Sequence, residues 1–116
     1  MPQYMVLLYA EESDERFRAD MPLWLELTEG LREAGLLVSN GALHSPGAAT
    51  TVRVRDGETE ITDGPFAVTK EILAGFYVLE CADLDEALRH AARFPTAQFG
   101  SVEVRPIVDP NFNCQA

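Results

Sequence analysis

Residues 50–62, with the sequence TTVRVRDGETEIT, decide the fold more than any other stretch of the chain. Two runs of alternating apolar and polar residues flank Asp56-Gly57, a pair that favours a two-residue β-hairpin turn. That turn sets a register in which Arg53 lies opposite Glu60. One face of the predicted hairpin therefore carries opposite-charge pairs, and its other face is apolar.

Hydrophobic periodicity on both sides of the hairpin predicts four further strands and two helices. Asp83, followed by Glu86 three residues later, is a variant of the capping box at the start of the second helix. The order strand, helix, strand, hairpin, strand, helix, strand predicts an α+β fold, a ferredoxin-like split βαβ with an inserted β-hairpin. The predicted strands are residues 3–9, 36–39 (closed by Asn40-Gly41), 71–80 and 101–108, and the predicted helices are residues 21–34 and 83–94.

The first predicted strand is apolar on both faces, so both faces require a cover. Two helices cover one face of the sheet, which leaves the other exposed in a monomer. We therefore predict a homodimer in which a second copy covers that face. Folding of the hairpin or of the tail over the same face is the alternative.

The length of 116 residues indicates one domain, assigned to residues 1–108, with a polar tail at 109–116. The formal net charge of the chain is -10. The charge argues against nucleic acid and anionic membranes as partners, because phosphate contacts need clustered cations. No apolar run is long enough to span a bilayer, and the first ten residues lack the basic start of a signal peptide. Cys81 and Cys114 form neither a disulfide framework nor a zinc site, and fit a cytoplasmic location.

The central part of the chain resembles the DGPF-domain branch of the YCII-related proteins, and the resemblance extends over residues 1–108. It implies a dimeric α+β barrel whose function is largely unassigned. In the broader family, a histidine and an aspartate in one pocket suggest enzymatic activity, and this branch is often encoded near extracytoplasmic-function sigma factors. The segments that carry the resemblance are residues 51–53, 62–71 (TDGPFAVTKE), 75–77, 83–87 and 100–106.

One departure from that family pattern concerns the first helix, where the YCII-type histidine lies. Residues 21–34 contain no histidine, and Trp24 occupies the region instead. The histidine–aspartate pair of the broader family therefore does not carry over to this chain.

Asp63 and His44 are the candidate catalytic residues. Asp63 precedes Gly64-Pro65, where an aspartate commonly bonds its own backbone, so it is either a turn residue or a carboxylate held at a pocket edge. His44 lies in a loop and is either a solvated surface residue or an acid–base partner for Asp63. The enzymatic hypothesis requires the two side chains to share a hydrogen bond or a bridging water.

Other candidates for a ligand pocket are aromatic or charged, and each also has a structural interpretation. Tyr9, Trp24 and Tyr77 are either pocket walls or core, and Phe66 either anchors its turn in the core or faces a ligand. Arg53 has Glu60 as a partner, whereas Arg105, in the last strand, needs a carboxylate or a ligand anion. Lys70 and Glu71, which point to opposite sides of a strand, are either an edge pair or one pocket residue.

Two hypotheses on function follow. The first is an enzyme that acts on a small organic molecule without metal or organic cofactor. The second is a small-ligand or protein-binding module linked to sigma-factor-dependent transcription. No metal-ligand cluster, phosphate loop or nucleophile motif is present in the sequence.

Overall fold

The computed structural model describes residues 1–109, so residues 110–116 of the predicted tail, including Cys114, lie outside the described part. Six strands, four α-helices and one 3-10 turn occupy residues 1–109. In chain order they are β1 (Gln3–Glu11), α1 (Arg16–Ala19), α2 (Met21–Glu33), β2 (Leu37–Ala42), the 3-10 turn (Pro46–Ala48), β3 (Thr50–Arg55), β4 (Glu58–Asp63), β5 (Glu71–Glu80), α3 (Leu84–Ala91), α4 (Thr96–Phe99) and β6 (Ser101–Pro106).

The architecture is α+β, as the sequence predicts. Four strands form one antiparallel sheet in the order β2-β5-β1-β6, and β3 and β4 form a separate two-stranded sheet. None of the helices in residues 1–109 has the length and apolar composition of a membrane-spanning helix.

The hairpin has the predicted register, with Arg53 opposite Glu60. Asp56 and Gly57 both have positive φ, at 53° and 77°, as a two-residue hairpin turn of this hand requires. The apolar face of the hairpin is not buried: the Ile61 side chain on that face, for example, is 69% exposed. The hairpin therefore stands clear of the core of its own chain.

The core lies between α2, α3 and one face of the main sheet. On β1 the alternate residues Tyr4, Val6 and Leu8 are buried against the helices. Leu7 and its cross-strand neighbour Phe76 point to the opposite face and are only half-buried. This opposite side, called the open face below, has no helix over it within residues 1–109.

Helix α2 packs on the main sheet and forms one wall of the core. Trp24, Leu27 and Leu31 are its buried residues, spaced by three and four positions along one side. Gly35 follows the C-cap residue Ala34 with a φ of 75°, which suits glycine, and the Leu36 N–H donates to the Leu31 carbonyl at 3.0 Å. This Schellman-type ending satisfies free carbonyls and turns the chain into β2.

Helix α3 begins as predicted. The Asp83 side chain accepts a hydrogen bond from the Glu86 N–H at 2.9 Å, and the Glu86 carboxylate accepts one from the Ala82 N–H at 3.0 Å. The reciprocal bonds satisfy two backbone donors at the helix start.

The prediction that Asn40-Gly41 closes the second strand is wrong, because β2 continues to Ala42. An added Cβ on Gly41 would lie 2.9 Å from the Phe76 Cε1 atom. Glycine at this position therefore allows the close approach of an aromatic ring, and the Asn-Gly pair forms no turn.

Candidate ligand pocket

A cavity of about 460 Å³ lies between helix α2 and the part of the sheet formed by β2 and β5. Its volume falls within the range of small-molecule sites, which are concave and mainly apolar with a few polar groups. We call it the α2 pocket.

One wall of the α2 pocket is a stripe along the helix. Met21, Leu25, Thr28 and Arg32 all contribute to it, at spacings of three and four residues that place them on one side of α2. Leu25 is 66% exposed, so an apolar side chain stands at the mouth of the pocket.

The opposite wall consists of small residues, and this is why the cavity exists. Ala42, Ala74 and Gly75 face α2 from the sheet. Ala74 has no direct partner on β1, because the register there shifts as a β-bulge between Leu8 and Tyr9. A Cβ on Gly75 would lie 2.8 Å from the Gly41 carbonyl oxygen, so the close approach of two strands excludes a larger residue.

An aromatic cluster closes the inner end of the pocket. The rings of Trp24 and Tyr77 are nearly parallel, with centroids 6.4 Å apart and an interplanar angle of 14°. Phe17 and Phe94 contact the Trp24 ring at centroid distances of 5.2 and 5.7 Å. Trp24 and Tyr77 thus pack in the core and also line the cavity.

Polar groups of the pocket are few and uncharged in its interior. The Thr28 hydroxyl lies 2.6 Å from the Tyr77 hydroxyl and 2.7 Å from the Trp24 carbonyl oxygen. Asn40 lies directly opposite Tyr77 in the β2–β5 register. At the rim, Arg32 forms an ion pair with Glu29 at 2.6 Å, so the charges there compensate each other.

Three of the four aromatic candidates, Tyr9, Trp24 and Tyr77, divide between the two sides of the main sheet. Trp24 and Tyr77 meet in the α2 pocket. Tyr9 lies opposite Ser101 on β6, on the open face. The structure therefore brings two of the four aromatic candidates together in one cavity.

Asp63 ends β4 opposite Thr50 and is exposed. The turn that follows is held by backbone bonds: the Gly64 N–H donates to the Ala49 carbonyl at 2.7 Å, and the Thr51 hydroxyl donates to the Gly64 carbonyl at 2.8 Å. Gly64 has a φ of 98°, whereas an extended conformation is expected before proline. Glycine therefore shapes this turn, and within residues 1–109 the Asp63 side chain makes no hydrogen bond to it.

Phe66 is 79% exposed, so the expectation that it anchors the turn in the core is wrong. The ring therefore lies mostly in solvent. The exposed ring is free to contact another molecule.

His44 lines a second cavity of about 680 Å³ beside the α2 pocket. The two cavities share Phe17 and Ala74. No hydrogen bond joins His44 to Asp63 within the described residues, and both side chains are exposed.

The acidic side chains around the second cavity are partly paired. Arg16 binds Asp14 at 2.7 Å, and this side-chain hydrogen bond holds the pKa of the Asp14 carboxyl below its ordinary value. Lys70 lies 3.4 Å from Glu11. These pairs are exposed, and each contributes little to stability.

Of the remaining charged candidates, Glu71 and Arg105 have partners on the surface. The Glu71 carboxylate accepts a hydrogen bond from the Ser101 hydroxyl at 2.8 Å. Arg105 pairs with Glu103, two residues away on the same strand. Arg53 lies opposite Glu60 on the exposed hairpin, but no ion pair within 4.0 Å joins them in the described chain.

Cys81 is fully buried, and no group of three metal-ligating side chains occurs within residues 1–109. Burial, with a further contribution from the nearby Glu86 carboxylate, raises the pKa of the Cys81 thiol to about 11. The thiol is therefore protonated at neutral pH and a poor nucleophile.

Sequence patterns alone did not reveal the pocket residues Thr28, Asn40 and Ala42. The sequence places Asn40 at the closure of the second predicted strand, and it gives Thr28 no distinguishing pattern. The available signal was the pairing of small residues in two neighbouring strands, which becomes visible only when the register of β2 against β5 is known.

Comparison with known proteins places the chain in a family. The YCII-related domain matches residues 2–111. An uncharacterised protein of Rhizobium meliloti (strain 1021) is 43% identical over a 115-residue alignment that covers 90% of each chain. The chain therefore belongs to the YCII-related family.

Proposed function

We infer that this YCII-related protein binds a small, mainly apolar organic molecule in the α2 pocket. The observation that carries the proposal is the cavity of about 460 Å³ between an aromatic wall and a sheet surface of alanine and glycine. A core that merely required packing would fill this volume with larger side chains, since interiors are close-packed.

Acid–base catalysis by Asp63 and His44, without cofactor, is the second candidate. It is favoured by the position of His44 in a cavity that shares Phe17 and Ala74 with the α2 pocket. Asp63 does not line that cavity, so this candidate requires the Asp63 carboxylate to come from a moved loop or from a second protomer. A binding module linked to sigma-factor-dependent transcription is compatible with the same ligand pocket.

The finer structural assignments belong to this proposal as well. The order β2-β5-β1-β6 supports a ferredoxin-like sheet, and the half-buried open face supports a dimeric α+β barrel in which a second copy covers it. The sequence TDGPFAVTKE supports membership of the DGPF branch, and the two unclustered cysteines support a cytoplasmic location.

The test uses the intrinsic fluorescence of Trp24, which is the sole tryptophan of the chain and lines the pocket. A library of small organic molecules is titrated against the native protein and against the variants Ala42→Phe and Ala92→Phe. Ala42 lies on the pocket wall, so its replacement by phenylalanine fills the cavity, whereas Ala92 is an exposed residue at the end of α3.

We expect molecules that quench or shift the Trp24 emission to lose at least about tenfold in affinity with Ala42→Phe, because the new ring fills the cavity. Their affinity for Ala92→Phe should equal that for the native protein. A tenfold loss corresponds to about 1.4 kcal/mol of binding free energy. Equal affinities for both variants would place the ligand elsewhere and contradict the proposal.

A further inference from the structure

We propose that the α2 pocket selects uncharged, flat molecules that carry a hydroxyl or N–H donor, and that the Tyr77 hydroxyl oxygen accepts this donor. The inference rests on the proposed ligand-binding function of the pocket and adds the chemical class of the ligand. It follows from the direction of one short hydrogen-bond chain and from the charges around it.

The chain of hydrogen bonds has only one consistent direction. A carbonyl oxygen cannot donate, so the Thr28 hydroxyl donates its proton to the Trp24 carbonyl at 2.7 Å. The contact between the Thr28 and Tyr77 hydroxyls, at 2.6 Å, must then be donated by Tyr77. Both protons are used, and the Tyr77 oxygen retains only acceptor capacity.

An oxygen with only acceptor capacity discriminates between ligands. A ligand hydroxyl or N–H satisfies it, whereas a ligand ether or carbonyl placed at the same point leaves two acceptors facing each other. A site built to pair with a donor rejects an analogue that lacks one, because its own polar group is then left without a partner.

The other polar groups are consistent with an uncharged ligand. Asn40 lies opposite Tyr77 in the register, and its side-chain amide makes no hydrogen bond within residues 1–109, so it is available to a ligand as donor or acceptor. Arg32 and Glu29 at the rim are paired with each other. A charged ligand would lose its hydration on entering the pocket and would find no unpaired opposite charge among the described lining residues, which is costly.

The shape of the walls favours a flat ligand body. The rings of Trp24 and Tyr77 both line the pocket with their planes nearly parallel, at 14°, and the small residues Ala42 and Gly75 leave room beside them on the sheet side. Aromatic and other planar molecules gain contact with such surfaces by offset stacking.

Two probes of nearly the same shape test the proposal. 2-Naphthol has a hydroxyl donor, and 2-methoxynaphthalene has an ether oxygen at the same position and no donor. Binding to the native protein is followed by NMR through the indole N–H signal, of which the chain has one because Trp24 is its sole tryptophan. The variants are Tyr77→Phe and, as a matched control on the open face, Tyr9→Phe.

Tyr77→Phe retains the ring and leaves Thr28 bonded to the Trp24 carbonyl, so no buried donor loses its acceptor. We expect 2-naphthol to bind the native protein and Tyr9→Phe about fivefold or more tighter than 2-methoxynaphthalene, a ratio typical of one net hydrogen bond. The preference is lost in Tyr77→Phe.

Equal affinities of the two probes for the native protein, or a preference that persists in Tyr77→Phe, would overturn the donor selection. In that case, loss of both probes in Ala42→Phe would still support the pocket. If neither probe shifts the Trp24 signal, a flat molecule of fitting size does not enter the pocket, and the proposed function falls together with the selection.

Discussion

Thr28 shows how a single residue changes the chemistry of the candidate site. Its side chain bonds the carbonyl four residues earlier in α2, which is a common conformation of helical threonine. That bond uses the one hydroxyl proton of Thr28, so in the contact between the two hydroxyls Tyr77 donates and Thr28 accepts. A local preference of one helical residue therefore decides which part of a ligand the pocket accepts.

Cys81 gives a prediction on pH dependence. Its thiol has a pKa raised from 9.0 to about 11, mainly by burial. The folded state thus holds the proton more tightly than the unfolded chain, so the associated stability is present below pH 9 and is lost as the pH rises toward 11.

The measurement is the free energy of unfolding of the native protein and of Cys81→Ala, by urea denaturation between pH 8 and 11. We expect the native protein to lose on the order of 2 kcal/mol more than the variant over this interval. The three tyrosines and the one lysine, Lys70, are common to both proteins and cancel in the difference. Parallel curves would show that the Cys81 thiol has an ordinary pKa in the folded protein.

The aromatic residues show how far the sequence could predict the site. Trp24 and Tyr77 were candidates for both core and pocket, and they fill both roles. Tyr9 differs because the side of a strand on which a residue lies depends on which face of the sheet the helices cover. Asn40 and Ala42 could not be identified in advance, because their significance depends on the register between two strands far apart in sequence.

At the level of elements, the hairpin is the segment that the sequence predicts most completely. Its turn pair and alternating runs determine its register locally, without help from the rest of the chain. The predicted end of β2 is wrong, because Gly41 makes room for the Phe76 ring, which belongs to a strand more than thirty residues later. Local chemistry predicts local elements, and contacts distant in sequence decide the exceptions.

In the turn after β4, the structural role of Gly64 can be tested separately from the role of the Asp63 side chain. Gly64 has a φ of 98°, which a residue with a Cβ adopts only with strain. We expect Gly64→Ala to lower the free energy of unfolding by about 1–2 kcal/mol, in the range of strained backbone conformations. Asp63→Asn keeps the size of the neighbouring side chain and serves as the matched control.

Asp63 is exposed, so Asp63→Asn should change stability by less than about 0.5 kcal/mol. Chemical denaturation of the two variants measures both effects. A destabilisation by Asp63→Asn equal to that by Gly64→Ala would assign the carboxylate to the turn, and would contradict its description as an unbonded surface group.

For the whole molecule, two apolar surfaces remain uncovered within the described residues. One is the open face of the sheet, and the other is the apolar side of the hairpin, where Val52 is 60% exposed. A two-stranded hairpin is marginal on its own in water. The Cα radius of gyration of 16.2 Å also exceeds the roughly 13 Å of a compact chain of this size, in keeping with a projecting hairpin.

A dimer that covers the open face leads to a prediction on mass. Light scattering after size-exclusion chromatography should give twice the chain mass for the native protein. Leu7→Lys places a charge on the open face, opposite Phe76, and should give the mass of one chain because a buried ammonium is costly.

Leu23→Lys is the control for that experiment, since Leu23 is 55% exposed on α2, on the helix side of the sheet. It should remain dimeric. A native protein with the mass of one chain would remove the argument that a second copy covers the open face.

The central claim is that the α2 pocket is the ligand site, and a crystal structure tests it most directly. Crystals of the native protein would be grown with the tightest-binding molecule from the Trp24 fluorescence titration. We predict electron density for that molecule between α2 and β2, in contact with the Trp24 and Tyr77 rings. Density for the molecule at another surface, with the α2 pocket empty of it, would contradict the account.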